Sequence, residues 1–228
     1  MPADNQPKKA VLQENAIILE ILSTVERDNR TTQRKLSREL DIALGLANAY
    51  VKRCVKKGYI KIRQVPLNRY AYYLTPKGFG EKSRLTVEYL AVSFNFFRDA
   101  RAQCATLFEQ CAANGLHTLA LAGVSELAEI AVLSASDTNT NIICIIDERS
   151  NKTRWANRSV VADLKMAQTL AVDGLHGVVI TDVLAPQATY EVICEAARKH
   201  GLPDRNVLAP TLLRISDQPM SPERGDSE

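Results

Sequence analysis

The sequence predicts an α+β domain and an α/β domain joined by a long helix. Three observations predict this two-domain fold: three helical patterns followed by two alternating strands, a stretch over 83–114 without proline or glycine, and a later alternation of apolar strands with helices. The predicted boundaries are a disordered tail over 1–10, a first domain over 11–82, a linking helix over 83–115, a second domain over 116–215 and a disordered tail over 216–228.

The first domain contains three helical patterns and a hairpin. Either Thr31 or Thr32 can cap the second helix, because a hydroxyl can accept an unpaired backbone N–H, and Gly58 ends the third helix. Three short helices followed by a hairpin predict a winged helix-turn-helix, in which the third helix enters the major groove of DNA. The predicted bounds are helices over 16–25, 33–40 and 44–57 and strands over 59–63 and 69–74.

The third helix has an apolar face and a polar face. Asn48 is the best candidate for reading a base, because its amide can pair bidentately with adenine, and the basic side chains around it are placed to contact phosphates. The apolar face comprises Leu44, Ala47, Val51, Cys54 and Val55. We expect about half of the cations in the predicted DNA-binding set to touch DNA. The predicted DNA-binding residues are Arg34, Lys35, Arg38, Gly45, Asn48, Ala49, Lys52, Arg53, Lys56, Arg63 and Arg69.

The charges are divided unequally between the two domains. Residues 1–84 carry 17 Lys and Arg against 8 Asp and Glu, a net charge of +9, whereas residues 85–228 have a net charge of −6. A basic domain joined to an acidic one indicates that one end of the protein meets a polyanion. Double-stranded DNA is therefore the predicted partner of the first domain.

Export, membrane insertion and a disulfide framework are not expected. The first ten residues have no apolar signal core, and no apolar run approaches the roughly 20 residues of a membrane span. The five cysteines are scattered without a CxxC pair, which is typical of small buried side chains in a reducing cytoplasm rather than of disulfides or a zinc site. We therefore expect a cytoplasmic protein without a metal.

The long helix has a heptad-like seam. Apolar residues recur there at alternating steps of three and four, interrupted by Arg101, which must reach a carboxylate or the edge of the seam. We interpret the seam as a dimer interface; the alternative is a helix that lies across its own chain's two domains. The seam comprises Val87, Leu90, Phe94, Phe97, Arg101, Cys104, Phe108 and Cys111.

The second domain alternates strands with helices. This pattern predicts a parallel sheet with helices on its faces, a Rossmann-like α/β domain. The predicted bounds are strands over 118–122, 141–146, 177–181 and 205–208 and helices over 125–136, 163–170 and 185–200.

The turn after the first strand of this domain resembles part of a dinucleotide-binding site. A glycine there allows a phosphate to approach a helix N-terminus, and acidic residues after the second strand can bind ribose hydroxyls. Two glycines of the usual pattern are missing, and Glu126 would repel a pyrophosphate. The alternative is a Rossmann-like fold used only for assembly. The predicted ligand-binding residues are Gly123, Val124, Ser125, Glu126, Asp147, Glu148, Thr181 and Asp182; Asp182 could instead cap the following loop.

Residues 14–84 resemble the MarR-type winged-helix regulators, in particular a branch associated with exopolysaccharide gene clusters. The resemblance rests on residues 33–42, on Leu44, Gly45 and Asn48, on 57–60, and on the element Leu74-Thr-Pro-Lys-Gly78 with the Tyr72-Tyr73 before it and Glu81-Lys82 after it. It implies a dimer that binds pseudo-palindromic operators. Leu46 stands where we expect a polar residue, which puts the base specificity in question.

The second domain resembles the nucleotide-sugar-binding domain of bacterial sugar O-acyltransferases, and also CoA-binding and redox-sensing Rossmann modules. The resemblance is architectural and rests on residues 123–131, 145–148 and 206–210. It implies a nucleotide-type effector, with a nucleotide sugar favoured over NAD(H) or CoA, rather than a reaction.

Catalysis is not predicted. His117, His176 and His200 are isolated, and the sequence has no metalloprotease motif, nucleophile elbow or P-loop. The sequence therefore predicts a dimeric transcription regulator that needs no cofactor for DNA binding and is modulated by a small molecule. An NAD(H)-responsive redox regulator is one alternative. The other is an enzyme or interaction protein whose winged domain contacts proteins.

Overall fold

The computed structural model describes residues 6–65 and 69–216, and the chain divides into two compact units, residues 1–94 and 95–228. The hairpin of the first unit is antiparallel, with Ile60 opposite Leu74. Three helices followed by this hairpin confirm the predicted winged helix-turn-helix. The elements are α1 (Gln6–Arg27), α2 (Gln33–Glu39), α3 (Leu44–Lys56), β1 (Ile60–Val65) and β2 (Arg69–Leu74).

Helix α1 begins ten residues before the predicted start, inside the predicted disordered tail. The segment from Gln6 to Asn15 is polar and lacks a helical period of apolar residues, but Ala, Leu, Gln, Glu and Lys are good helix formers. Pro7 lies in the first turn, where its missing N–H has no helical partner to lose. The rest of the predicted tails, residues 1–5 and 217–228, lies outside the described residues.

Helix α4 (Pro76–Ala113) also begins earlier than predicted, because it starts directly after the hairpin. Pro76 is at its first position, where proline is favoured, and the hydroxyl of Thr75 accepts the N–H of Gly78 at 3.0 Å. Gly78 lies inside this helix. A larger residue would not fit there, because a Cβ would stand 2.1 Å from the carbonyl oxygen of Tyr59. The missing side chain at position 78 therefore permits α4 to pack closely against the backbone of Tyr59.

The seam predicted on α4 divides into two parts. In the first unit Val87, Leu90 and Phe94 are 67%, 44% and 59% exposed. In the second unit the seam residues after Arg101 are buried in the core of their own domain, so the prediction of a dimer interface is wrong for them; they are Cys104, Phe108 and Cys111. Arg101 reaches a carboxylate as expected, since its guanidinium lies 2.8 Å from Asp137.

The second unit is a parallel α/β sheet, as predicted. Its strands lie in the order β5-β6-β4-β3-β7-β8, and every neighbouring pair is parallel except β5 with β6. The five parallel strands thus follow the doubly wound order, with a switch point between β3 and β7. The elements are β3 (Thr118–Ala122), α5 (Glu126–Ala135), β4 (Asn141–Ile146), β5 (Arg154–Trp155), β6 (Arg158–Val161), α6 (Leu164–Leu170), β7 (Gly177–Ile180), α7 (Pro186–Lys199) and β8 (Val207–Leu208).

The hairpin of β5 and β6 is absent from the sequence prediction. Its two-residue turn consists of Ala156 and Asn157, both with positive φ, which is the backbone that a tight hairpin requires. Alanine gives no sequence signal for such a turn, and strands of two and four residues are too short to show alternation. The indole N–H of Trp155 donates to the carbonyl of Ser125 at 3.0 Å and fixes the hairpin beside the start of α5.

All five cysteines are buried, as the sequence predicts. Burial raises the pKa of Cys54, Cys104 and Cys144 to about 11 and that of Cys111 to about 12. These thiols are therefore protonated and unreactive at neutral pH. Within residues 6–65 and 69–216, no helix combines the length and apolar character needed to cross a membrane.

Candidate nucleic-acid interface and ligand crevice

Hydrogen bonds hold both the start of α2 and the turn between α2 and α3. The Oγ1 atom of Thr32, not of Thr31, accepts the N–H of Lys35 at 3.1 Å and caps α2, while Thr31 is buried. The hydroxyl of Ser37 donates to the carbonyl of Ile42 at 2.7 Å. Asp41 adopts a positive φ, which turns the chain sharply into α3. The bond from Ser37 and the backbone of Asp41 together fix the turn that leads into α3.

Helix α3 turns one face to the core and the other to solvent. Ala47, Val51 and Cys54 are buried, as predicted, against α1, α2 and the hairpin. Leu44, predicted on the apolar face, is instead 45% exposed, because it lies at the first position of the helix. The exposed residues include most of the predicted DNA-binding set on this helix: Gly45, Ala49, Lys52, Arg53 and Lys56.

Two of the predicted phosphate-binding cations form ion pairs within their own domain. The guanidinium of Arg53 lies 2.6 Å from Glu14, and the ammonium of Lys35 lies 2.8 Å from Asp28. The hydrogen bond from Lys35 to Asp28 raises the pKa of Lys35. Among the described residues, by contrast, no carboxylate pairs with the exposed side chains of Arg34, Arg38, Lys52 or Lys56.

Asn48, the predicted base reader, is only half-exposed. Its amide oxygen is buried and has no hydrogen-bond partner among the described atoms. Bidentate pairing with adenine needs the oxygen and the NH₂ together at the surface. In this side-chain position Asn48 does not offer both, so its predicted role requires a rotation on binding.

The hairpin presents a smaller basic surface. Arg63 on β1 is exposed, and its guanidinium carbon lies 5.9 Å from the centre of the Tyr73 ring. This stacking holds the cation at the hairpin surface. The side chain of Arg69, also predicted to bind DNA, and the turn at 66–68 lie outside the described residues.

In the second unit the predicted ligand-binding residues gather where β3 and β7 end. Gly123 follows β3 and Asp182 follows β7, and a Cβ on Gly123 would lie 2.6 Å from the backbone of Asp182. The positive φ of Gly123 and this close approach both require glycine. The packing of the domain therefore explains the glycine, and a bound ligand is not needed to explain it. In doubly wound sheets, ligands bind at this position outside the carboxyl ends of the strands.

The polar groups of this crevice are largely bonded to one another. The N–H of Val124, which would face a phosphate, donates to Asp147 at 2.9 Å, and the hydroxyl of Ser125 donates to the carbonyl of Thr181 at 2.6 Å. The Thr181 hydroxyl in turn donates to the carbonyl of Gly123 at 2.7 Å. A pyrophosphate placed as in dinucleotide-binding folds would have to displace the carboxylate of Asp147.

Asp182 is the most strongly bonded carboxylate of the crevice. It accepts the hydroxyl of Thr189 at 2.6 Å and the N–H of Leu184 at 2.9 Å, and its other partners are the N–H of Ala185 and the guanidinium of Arg149. Burial alone would raise its pKa, but these bonds outweigh burial and lower the pKa to about 2. Asp182 therefore caps the loop before α7, which is the alternative that the sequence left open.

An apolar cavity of about 300 Å³ lies at the same edge of the sheet. Glu126 is its acidic lining residue, and Glu148, the last predicted ligand-binding residue, is exposed on the loop after β4. The cavity is lined mainly by aliphatic and aromatic side chains, which sequence reasoning did not group together: Phe96, Leu127, Val183, Pro186, Leu212 and Leu213.

Sequence reasoning also missed Arg149, Thr189 and Trp155. Arg149 and Thr189 bond to Asp182, and Trp155 bonds to Ser125 with the Lys152 ammonium 3.4 Å from the centre of its ring. The position of Arg149 two residues after Asp147, at the end of a strand, was the available signal for a residue near the crevice.

The histidines of the second unit include one with a structural position. His176 precedes β7, and its Nδ1 accepts the N–H of Thr118 at 3.0 Å, which joins the start of β7 to the start of β3. His117 lies 2.9 Å from the carbonyl of Asn139 through its Nδ1. Within the described part of the chain, no group of three His, Cys, Asp or Glu could hold a metal ion.

The comparisons with known proteins concern the first unit. Residues 14–61, about a fifth of the chain, match the family model described as winged helix-turn-helix DNA-binding. No curated protein matches the chain. The matched segment covers α2, α3 and most of α1, which are the elements that position the exposed cations. The first unit is therefore a winged helix-turn-helix DNA-binding domain.

Proposed function

We propose that this protein is a homodimeric transcription regulator that binds duplex DNA through α3. The observation that carries the proposal is the group of exposed cations on α2 and α3 that have no carboxylate partner among the described residues. They are Arg34, Arg38, Lys52 and Lys56. Cations left unpaired on a domain of net charge +9 are available to replace the counterions of DNA phosphates.

The phosphate contacts can be tested with two cations of one helix. Lys52→Ala combined with Lys56→Ala should weaken binding to any duplex, because each lysine neutralises a phosphate. The slope of log affinity against log salt should fall by about 0.9 for each phosphate that is no longer neutralised, counted in both copies of a dimer. Fluorescence anisotropy over a salt series measures both quantities.

A matched control is Lys165→Ala, because Lys165 is an exposed lysine on α6 of the other unit. It should leave affinity and slope unchanged. If the wild-type protein fails to bind duplex DNA even at low salt, the proposed function is wrong.

The homodimer is supported by the exposed apolar residues of α4 in the first unit. Val87, Leu90 and Phe94 lie at steps of three and four and leave an apolar stripe open to solvent. A second copy of the same helix has the same spacing and can cover the stripe. Two copies of α3 would then meet two half-sites of a pseudo-palindromic operator.

Light scattering can test this assembly with two matched substitutions. Val87 on α4 and Val192 on α7 are 67% and 65% exposed. Val87→Glu should convert a dimer into monomers, because it places charge in the interface, while Val192→Glu should not. A monomeric wild-type protein at micromolar concentration would contradict the proposal.

A second proposal concerns the α/β domain: it binds a small-molecule effector that changes operator affinity. The cavity at the switch point between β3 and β7 favours this function. The resemblance to the nucleotide-sugar-binding domain of sugar O-acyltransferases makes a nucleotide sugar the preferred class of effector, with NAD(H) and CoA as alternatives. Binding of any of them at the turn after β3 would require Asp147 to release the Val124 N–H. The effector must bind one state of the dimer better than the other.

Thermal-shift measurements against UDP-sugars, NAD(H) and CoA test this second proposal. Stabilisation by one class, and a change in DNA affinity on adding it, are expected. Release of DNA by NADH would favour the redox regulator. If none of these compounds shifts the melting temperature, the proposal of a nucleotide-type effector is wrong. The proposed DNA-binding function would not be affected by that result.

A further inference from the structure

The half of α3 that leads into a DNA groove exposes no charged side chain. Leu44 and Leu46 are each 45% exposed, and Gly45 and Ala49 are exposed beside them. The first exposed cation on the helix is Lys52, six residues after Leu46, about 9 Å further along the helix axis. The exposed surface of the first six residues of α3 is thus mainly apolar.

Gly45 is not required by the fold of its own domain. A Cβ at this position would meet nothing within 4 Å, and its φ is ordinary for a helix. Glycine is a poor helix former, so its presence in an open position costs stability without a packing reason. A close approach by a molecule outside the domain would explain why this position is glycine.

The chemistry of the major groove limits what an apolar surface can recognise. The N-terminal residues of a recognition helix contact base edges, and those edges present hydrogen-bonding groups except for the C5 methyl of thymine. A leucine set against the other groups would bury polar atoms without partners, which is unfavourable. Against a thymine methyl, the same leucine removes apolar surface of both partners from water.

We propose that α3 recognises thymine through methyl contacts made by Leu46 and Leu44, with Gly45 and Ala49 leaving room for the helix to approach the bases. This inference rests on the proposed DNA-binding function and adds a specificity to it. Lys52 and Lys56, further along the same helix, and Arg34 and Arg38 on α2 supply the phosphate contacts that favour DNA over a protein as the occupant of this surface.

The test replaces thymine by deoxyuridine, which differs only by the missing methyl. The preferred duplex is first selected from a random library with the full-length protein, and each thymine is then replaced singly. Affinity should fall about fourfold for each methyl that a leucine contacts, the equivalent of one buried methylene. The salt dependence should not change, because every phosphate is still neutralised.

Variants assign the contact to its residue. Leu46→Ala and Leu44→Ala should each bind more weakly and lose the distinction between thymine and uracil at one position of each half-site. Leu133→Ala, which truncates a leucine 53% exposed on α5, should retain it. Thermal melting of the variants checks that they fold, and exposed side chains predict little change.

The outcomes separate this inference from the proposed function. Equal affinity for all uracil-substituted duplexes overturns thymine recognition while DNA binding stands. Uracil discrimination that persists in both leucine variants also overturns it. Absence of duplex binding at low salt overturns the proposed function itself.

Discussion

The exposed face of α2 and α3 and the crevice between β3 and β7 differ in what their polar side chains bond to. On α2 and α3, Arg34 and Lys52 extend into solvent without a carboxylate partner among the described residues. In the crevice, Asp147 and Asp182 accept hydrogen bonds from the backbone and side chains around them. Residues of the first kind are available to a partner, whereas those of the second kind first stabilise their own domain.

The largest expected effect follows from removing the carboxylate of Asp182. Asp182→Ala should lower the free energy of unfolding by about 3 kcal/mol or more, since Thr189 and two backbone N–H groups lose an ionised acceptor in a buried position. Urea unfolding measures the loss. Arg38→Ala on α2 should change stability by less than about 0.5 kcal/mol. Equal stabilities of the two variants would remove the contrast between the surfaces.

The free energy of unfolding at low pH should depend on the same carboxylate. The pKa of Asp182 is about 2 in the folded protein, below the usual value near 3.9 in an unfolded chain. Its contribution, roughly 2–3 kcal/mol, is therefore complete above pH 4 and is lost as the pH falls toward 2. Unfolding measured between pH 2 and pH 5 should show a shallower pH dependence for Asp182→Asn than for wild type. Parallel curves would contradict this assignment.

Asp147 offers a way to open the crevice. Asp147→Ala frees the Val124 N–H and removes a negative charge, so nucleotides should stabilise the variant more than wild type, by about 1 kcal/mol for a fivefold gain in affinity. Thermal shifts with UDP-sugars and NAD(H) measure the difference. A loss of nucleotide stabilisation would instead support the role predicted from the sequence, in which Asp147 binds ribose.

Glu14 offers the opposite experiment on the DNA-facing surface. Glu14→Gln should release Arg53 from its 2.6 Å ion pair and increase duplex affinity by a few-fold, with a salt slope larger by about 1 per copy. Glu148→Gln, at an exposed glutamate of the other unit, is the control and should have no effect. Unchanged affinity in Glu14→Gln would mean that Arg53 does not face DNA.

The sequence was sufficient to predict most helices and strands of both domains, but not the hairpin of β5 and β6 or the contacts of individual side chains. Periodicity identified α3 and the strands β3, β4 and β7 because regular burial produces it. It could not show that Arg53 meets Glu14, since that pair is 39 residues apart along the chain.

The failures on α4 have a similar physical cause. A seam of period three and four indicates a covered face, but a chain's own sheet and a second copy cover it equally well. Cys104 and Phe108 are covered by the sheet, whereas Val87 and Phe94 are not. The predicted start of the helix follows Gly78 because glycine is unfavourable inside a helix. The packing of Gly78 against the carbonyl of Tyr59 involves residues distant in sequence, so the pattern could not show it.

The junction between the hairpin and α4 gives a physical meaning to the element Leu74-Thr-Pro-Lys-Gly78. Thr75 donates its hydroxyl to the carbonyl of Gly58 at 2.6 Å, Pro76 starts the helix, and Gly78 admits the carbonyl of Tyr59. Selection for a helix that follows a hairpin directly, without a linker, would favour these residues. This holds whatever operator or metabolite the protein recognises. A shared version of this element between two proteins is thus evidence of common architecture, and biological specificity has to be sought in other segments.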